Sequence, residues 1–340
     1  MKEFKEAEAL DENTLKKEIN TNAEKAFSPD SDSLSYRRRY LACSYVLNSM
    51  EYKQGFQDTM RDYVTSLVIR REDSKRENRN YSLYDKMIKY YNVKKNIEIV
   101  NNNDIENYLH TFTMYDYNIF FDVMLLIICT VLYAFVFHAE DIYNSRELSV
   151  SSLMGRRKLY LSKMFTLVLS LLIIIGVTCA LIFAGGVFRG IYKWNASMQS
   201  LKVFQYCPFS ISLWQYIVIT CLLKFFVALV FIGILRLFDW GSRNAVRSLT
   251  IGILISILCF IVSSPYLNHT NDGYETIKKV DKIRSLCPFG LFMPQYYFDD
   301  FDCVVVKGIP FFRLTTAMLV GFIIIIAGFL SGFTDRNARK

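Results

Sequence analysis

The first third of this 340-residue chain lacks any long apolar run. Between Met1 and Asn118 no uncharged apolar stretch approaches the ~20 residues that a helix needs to cross a hydrocarbon core of about 30 Å. After Asn118 five such stretches follow in succession. A single soluble domain is therefore excluded. With 52% apolar residues and only 8 cysteines, the chain is also neither a disordered segment nor a small disulfide-stapled protein.

Motifs for nucleotide hydrolysis and metal chemistry are also missing. A phosphate-binding loop ends in a Gly-Lys pair, and no Gly-Lys dipeptide occurs in this chain. The 3 histidines show no H-E-x-x-H spacing and the 8 cysteines no C-x-x-C spacing, so the common zinc and redox motifs are absent. We therefore predict no catalytic, cofactor-binding or metal-binding residues, and no ATP hydrolysis by the chain itself.

Two weaker patterns have ordinary explanations. His138 and Asp141 share a helix face at a membrane boundary, as two metal ligands would. No second histidine lies nearby, so an interfacial polar cluster is the favoured interpretation. Four cysteines lie inside apolar runs and are expected to behave as small apolar side chains: Cys129, Cys179, Cys221 and Cys259.

Charge is unevenly divided between the two parts of the chain. Residues 1–118 carry 19 Lys and Arg against 20 Asp and Glu, whereas residues 119–340 carry 21 against 12. The whole excess behind the net charge of +8 thus belongs to the apolar part. A nucleic-acid footprint would instead be a basic stripe on a soluble face, so no nucleic-acid partner is expected.

The apolar part predicts an all-α, polytopic membrane bundle. Backbone polar groups in lipid must be bonded within their own segment, and the runs do not alternate as the strands of a membrane barrel do. The predicted transmembrane domain covers 119–340, and its five predicted spans are 119–137, 164–188, 211–235, 249–267 and 314–333.

Orientation follows from the basic residues in the connections. The side formed by 138–163, 236–248 and 334–340 carries 11 Lys and Arg in 46 positions, against 9 in 68 on the other side. The first side is therefore predicted to be cytoplasmic, together with the C-terminus. Residues 1–118 are then extracytoplasmic.

That orientation raises a question about export. The segment Met1–Glu8 is charged and has no apolar core, so it is not a signal peptide. We expect a first helix before Met1, giving six in all. An inverted topology is the alternative, although it would place the basic segment Gly155–Lys158 outside.

Residues 1–118 are predicted to form a small, mainly helical domain. Apolar residues recur at helical spacing within 40–70: Phe56, Met60, Tyr63, Val64 and Leu67. A second helix is predicted over 84–91, and the polar flanks 22–35 and 72–82 are predicted to be loops or disordered. The domain is either a gating or peptide-sensing module or a helical cap on the membrane part, and the cap is favoured.

Two segments on the outer side resemble each other. The ten residues from Cys207 match the ten from Cys287 at five positions, and each begins Cys-Pro-Phe. Proline followed by aromatic residues at a membrane edge is typical of a helix start or a short interfacial helix. A disulfide between Cys207 and Cys287 is conceivable, but spacing alone does not establish it.

Lys224 is the only charge deep inside a predicted span. An ionisable group there is costly, and it is therefore a functional candidate facing a substrate path. Snorkelling or a subunit contact explains it equally well. Asp122 lies near the outer end of the first span, which argues against it as the partner of Lys224. Glycine pairs at Gly186…Gly190 and Gly328…Gly332 would permit close helix contact.

The connection after the first span, 137–163, has the most specific sequence. It predicts an amphipathic helix at the membrane surface, followed by a basic turn and then by the next span. It resembles the corresponding segment in membrane subunits of type-2 ATP-binding-cassette (ABC) transporters. The resemblance covers about 119–340 and rests on Phe137, Glu140, Ser145, Leu153, Arg156 and Lys163. Asn144 stands where that family usually has glycine, and Gly155 near where proline is common.

The resemblance implies a permease subunit of an exporter in a bacterial cell membrane. It implies a coupling helix that contacts a separate ATPase subunit through Glu140, Arg156, Arg157 and Lys163. It also implies a second permease subunit, and a lipid, peptide or drug-like substrate moved by ATP hydrolysis in the partner. The chain would contact membrane lipid. A non-transporting sensor or scaffold with a ligand-binding outer domain is the alternative.

Overall fold

The computed structural model describes residues 6–7, 9–26, 33–77, 81–94, 108–109, 118–142, 153–188, 191, 193–239, 244–263, 287–298, 303–306 and 309–331. Within these ranges the chain is almost entirely α-helical, as predicted. Polar helices precede residue 118 and apolar helices follow it, so the change in composition coincides with a change in helix type.

Three polar helices form the N-terminal part: α1 (Glu12–Ala26), α2 (Ser33–Arg76) and α3 (Ser82–Lys94). Side chains spaced three or four residues apart on α2 are buried: Phe56, Met60, Val64 and Leu67. They pack with Met87 and Tyr91 of α3, which confirms both the predicted face and the predicted second helix.

Two segments predicted to be loops or disordered, 22–35 and 72–82, are partly helical. Residues 22–26 complete α1, and residues 72–76 complete α2. Neither 22–26 nor 72–76 contains the proline or glycine that would end a helix. Lys75 lies 3.3 Å from Glu72, and charge pairs three residues apart stabilise a helix.

The apolar part contains α4 (Asn118–Phe137), α5 (Ala139–Ile142), α6 (Leu153–Phe188), α7 (Leu213–Phe238), α8 (Ala245–Ser263), α9 (Gln295–Phe298) and α10 (Arg313–Ser331). Among the residues that the structure describes, three stretches are long and apolar enough to cross a membrane: Lys158–Phe188, Leu213–Phe238 and Arg313–Ser331. The apolar helices over Phe121–Phe137 and Ala245–Cys259 are shorter. A membrane protein with several spans is therefore supported, and the count of five stays a prediction.

A short hairpin departs from the all-α prediction. Strands β1 (Cys303–Val306) and β2 (Ile309–Phe312) are antiparallel, with Cys303 opposite Phe312. Valine and isoleucine favour extended backbone. The intervening sequence, Lys307-Gly308, has the length and the glycine of a tight hairpin connection. β2 leads directly into α10.

The two outer segments differ in structure. Pro288 opens a 3₁₀-helix over Pro288–Phe292, as the sequence suggested. The segment around Pro208 is irregular instead, and α7 begins after it at a capping box. There Gln215 accepts a hydrogen bond from the backbone N–H of Ser212 at 2.9 Å.

Helix α7 lies at the centre of the apolar bundle, between α4, α6 and α10. In its most apolar stretch 67% of residues are buried, against 22% in α6 and 17% in α10. A Cβ at Gly328 of α10 would lie 2.6 Å from the Cα of Gly233 in α7. Gly328 therefore permits close helix contact, as expected. Gly190 and Gly332 lie outside the described residues.

Pairs of contacts define the helix directions. Asp122 meets Lys224 towards the starts of α4 and α7, and Tyr133 meets Asp239 towards their ends, so these helices are parallel. Helix α6 is antiparallel to α4, because Lys163 near the start of α6 reaches Phe137 at the end of α4.

The ends of α4 and α7 therefore meet the starts of α6 and α8, and we call this the inner end of the bundle. The opposite end, with residues 193–212, is the outer end. The connections 138–163 and 236–248 thus attach at one end, as their predicted common side requires. That the inner end faces the cytoplasm stays a prediction.

Candidate functional site

Lys224 bonds Asp122, contrary to the expectation that Asp122 is too shallow to reach it. The ammonium donates a hydrogen bond to Asp122 Oδ1. Both residues are buried, at 4% and 6% exposure. Helical side chains lean towards the helix N-terminus, so the Lys224 side chain rises along α7 towards the outer end, where Asp122 lies in the early turns of α4. The prediction was wrong because it compared the depths of the two residues along their spans and left out the direction in which the Lys224 side chain leans.

Aromatic rings enclose the Lys224–Asp122 pair. The Lys224 ammonium lies 5.2 Å from the centre of the Phe121 ring and 6.0 Å from that of Phe292. Ring faces attract a cation, and apolar surroundings strengthen the ionic contact while making the desolvation of each charge costly. The pair thus links α4 to α7, and the 3₁₀-helix that contains Phe292 covers it. Loss of either partner would leave the other charge buried.

A second polar cluster lies at the inner end. The sequence predicted an interfacial polar cluster at His138, but it did not indicate the partners that the structure shows. His138 Nε2 lies 2.6 Å from Ser248 Oγ and 3.1 Å from Asp239 Oδ2. Tyr133 donates to the same Asp239 oxygen at 3.2 Å. All four side chains are buried. The cluster therefore joins α4, the end of α7 and the start of α8.

The geometry of this cluster differs from that of a hydrolytic triad. A triad uses one imidazole nitrogen for the serine and the other for the carboxylate. Here Ser248 and Asp239 approach the same nitrogen of His138. Asp141 lies on the same predicted helix face as His138, and its side chain is outside the described residues. A sequence signal was available, since His138 and Asp239 each directly follow an apolar helix.

Two of the four predicted coupling residues contact each other. Lys163 on α6 bonds the carboxylate of Glu140 on α5, and its ammonium also donates to the Phe137 carbonyl at 2.8 Å. Lys163 therefore holds the end of α4 and helix α5 against α6. Arg156 and Arg157 lie in the first turns of α6, and their side chains are outside the described residues.

Arg236 adds a further charge at the inner end. Its guanidinium lies 5.3 Å from the centre of the Phe137 ring and 5.6 Å from that of Tyr160. The Tyr160 hydroxyl donates to the Phe329 carbonyl of α10 at 2.9 Å. Aromatic and cationic side chains thus connect the inner ends of α4, α6, α7 and α10.

The N-terminal helices are attached to the outer end. Tyr52 of α2 donates to the Gln199 carbonyl at 2.9 Å, and Tyr91 of α3 donates to the Tyr206 carbonyl at 2.5 Å. The amide of Gln199 in turn donates to the Cys207 carbonyl at 2.9 Å. Cys207 and Cys287 are free thiols, so the conceivable disulfide does not form in this structure.

Outside the bundle, an ion pair joins α1 to α2. Arg39 donates to Glu18 at 2.6 Å, and this hydrogen bond lowers the pKa of the Glu18 carboxyl. Cys43 lies 3.3 Å from the same carboxylate, and burial raises the pKa of its thiol to about 11. In the part of the chain that the structure describes, no three His, Cys, Asp or Glu side chains assemble a metal site.

Comparisons with protein-family models, with curated proteins and with solved structures give no match. The class of protein therefore follows from the structure alone: a mainly helical chain with several helices long and apolar enough to cross a membrane.

Proposed function

We propose that the chain is the permease subunit of a type-2 ABC transporter in a bacterial cell membrane. The observation that carries the proposal is the position of Lys163, which bonds both Glu140 and the Phe137 carbonyl. A segment that a partner protein pushes can transmit force only when it is attached to the moving helices. Lys163 supplies such an attachment between α4, α5 and α6.

In this proposal the inner end faces the cytoplasm and contacts a separate ATPase subunit. Glu140 and Lys163 hold the coupling segment in place, and Arg156 and Arg157 contact the ATPase. A second permease subunit, identical or different, completes the transport path. Five helices of this chain cross the membrane, and the domain over 1–118 lies outside. The two pairs of residues have distinct tasks, because the side chains of Glu140 and Lys163 already bond each other.

The substrate in this proposal is a lipid, a peptide or a drug-like molecule. Among the three longest apolar helices, α7 is the most enclosed by other helices. It carries a buried charge, Lys224. Because Asp122 already bonds Lys224, a charged substrate would have to compete with that carboxylate. We therefore assign the pair to holding α4 against α7, and exchange of partners would accompany opening of a path.

Co-purification with an ATPase tests the proposal. The full chain is co-expressed with candidate ABC ATPases encoded beside its gene, and ATP hydrolysis by the purified complex is measured. We expect a stable complex, and loss of binding in the double charge reversal Arg156→Glu, Arg157→Glu. Lys202→Glu is the matched control, because Lys202 is exposed at the outer end. Failure of every candidate to bind, or indifference to the double reversal, would refute the proposal.

A non-transporting sensor or scaffold is the second candidate function. It is favoured by the hydrogen bonds from Tyr52 and Tyr91 to the carbonyls of Gln199 and Tyr206, which connect the N-terminal helices to the outer end of the bundle. Replacing both tyrosines by phenylalanine removes these bonds and little else. A sensor would lose its ligand response while needing no ATPase. A permease would retain its ATPase complex, so the two functions are separable.

A further inference from the structure

An apolar groove runs along the bundle near its inner end, between α6, α7 and α10. It encloses about 460 Å³. Leu161 and Phe165 form part of its α6 wall, and both are exposed, at 46% and 68%. The groove therefore opens to the outside of the protein. In a membrane, the molecules on that side are lipids.

The groove exists because side chains are missing between two helices. Gly233 of α7 and Gly328 of α10 both line it, and their backbones are in contact. Two glycines bring α7 and α10 together and leave no side chains to fill the space in front of the contact. Met164 of α6 forms part of the facing wall.

The length of the groove suits part of an acyl chain. On α7 it extends from Leu229 to Arg236, which is about 10 Å along the helix axis at 1.5 Å per residue. Leu161 to Val168 on α6 covers the same length. An extended chain of about eight methylenes has a similar length. The apolar lining matches such a chain and offers it no hydrogen-bond partner.

Arg236 is the charged residue among those lining the groove, and it lies at the inner end. It is two residues from the end of α7, where lipid headgroups are expected beside a spanning helix. Two rings hold its guanidinium, those of Phe137 and Tyr160. Lys158, early in α6, is exposed at the same end. Apolar walls that end in positive charge are complementary to an anionic phospholipid.

We propose that this groove binds one acyl chain of an anionic phospholipid from the leaflet at the inner end, with the lipid phosphate against Arg236. The lipid would fill the space in front of the Gly233–Gly328 contact and connect α6 to α7 and α10. The inference requires that the bundle lies in a membrane. It does not require an ATPase partner or any transported substrate.

Native mass spectrometry of the full chain tests the site. The purified protein is titrated with phosphatidylglycerol or with phosphatidylcholine of identical acyl chains. One basic side chain near anionic lipid favours binding about fivefold, so we expect at least that preference for phosphatidylglycerol. Arg236→Gln should remove most of the preference, and Arg236→Lys should keep part of it. Met164→Trp should reduce retention of both lipids, because the indole occupies the groove.

Matched controls distinguish a site from the general lipid shell. Arg247→Gln removes an exposed charge at the same end of the bundle, and Ile257→Trp adds an indole at an exposed position on α8. Both should behave as wild type. Equal retention in all variants, or equal loss in the controls, would overturn the proposal. If Arg236→Gln fails to fold, Arg236→Lys and Met164→Trp still decide the outcome. Failure of ATPases to bind would leave this readout unchanged.

Discussion

Two ion pairs, one in the bundle and one between the N-terminal helices, join similar groups in different surroundings. Lys224 and Asp122 have side-chain exposures of 6% and 8%, whereas Arg39 and Glu18 have 22% and 31%. Water stabilises a separated charge in the second pair and is excluded from the first. Loss of one partner is therefore costly inside the bundle and has only a small effect between the N-terminal helices.

Breaking the buried pair should have the largest effect. Asp122→Asn leaves the Lys224 charge buried without its carboxylate, and we expect a loss of about 3–5 kcal/mol in unfolding free energy. The double change Asp122→Leu, Lys224→Met removes both charges and should restore most of that loss. Thermal unfolding in mild detergent, followed by circular dichroism, measures both variants.

Lys202→Met serves as the control, since it removes an exposed lysine. An unaltered melting temperature in Asp122→Asn would contradict the comparison. If the double variant is as stable as wild type, any loss of activity that it shows is due to a functional role of the two charges and not to misfolding. That result would separate the two explanations of Lys224 left open by the sequence.

The reactivity of the Cys43 thiol reports how far α1 and α2 exclude water from the N-terminal ion pair. Because burial raises the pKa of Cys43 to about 11, its thiolate is scarce at pH 8. Alkylation should be about 100-fold slower than at an exposed cysteine introduced by Gln57→Cys, and it should accelerate as the pH rises towards 11. Peptide mass spectrometry quantifies each site. Equal rates at the two cysteines would show that α1 and α2 do not enclose Cys43.

Close helix contact in the bundle can be broken by one methyl group. In Gly328→Ala the new Cβ would meet Gly233 backbone atoms at 2.6 Å, and backbone cannot move aside cheaply. We expect a loss of about 1–3 kcal/mol in unfolding free energy. Gly176→Ala is the matched control, because nothing lies within 4 Å of its new Cβ. The alanine should stabilise that helix slightly. Identical melting of the two variants would argue against the α7–α10 contact.

The partly exposed pair of Arg39 and Glu18 should give the smallest effect. Glu18→Gln is expected to cost about 1 kcal/mol or less. The Glu18 pKa is lowered in the folded state, so its contribution is present above the unfolded pKa and is lost as the pH falls through the folded value. Hydrogen exchange of α1, corrected for intrinsic rates, should differ between wild type and Glu18→Gln at pH 7, and the difference should shrink as the pH falls through the acidic range. A difference that grows as the pH falls would contradict this sign.

Local patterns allowed prediction of elements better than of contacts. The periodicity of Phe56, Met60 and Leu67 predicted a buried helix face, because adjacent turns determine it. Helix α2 was predicted too short, because polar residues without proline or glycine do not end a helix by themselves.

Contacts between residues distant in sequence could not be predicted from local patterns, because they depend on how the helices are arranged. Asp122 and Lys224 lie 102 positions apart, and the parallel direction of α4 and α7 brings them together. His138 and Asp239 follow the ends of α4 and α7 and Ser248 lies early in α8, and no sequence spacing relates the three residues. Glu140 and Lys163 were each among the residues that resemble ABC permeases, but the resemblance did not pair them. Their mutual bond required the fold, since it depends on how α6 returns beside α4.

The rate of ATP hydrolysis by the permease–ATPase complex tests the central proposal most directly. Lys163→Glu and Glu140→Lys each place like charges together in the coupling segment, and each should lower the rate at least about fivefold. Combining them restores an opposite pair and should recover part of the rate. Recovery should be incomplete, because a carboxylate at position 163 cannot donate to the Phe137 carbonyl. Folded single variants that hydrolyse ATP at the wild-type rate would contradict the proposal.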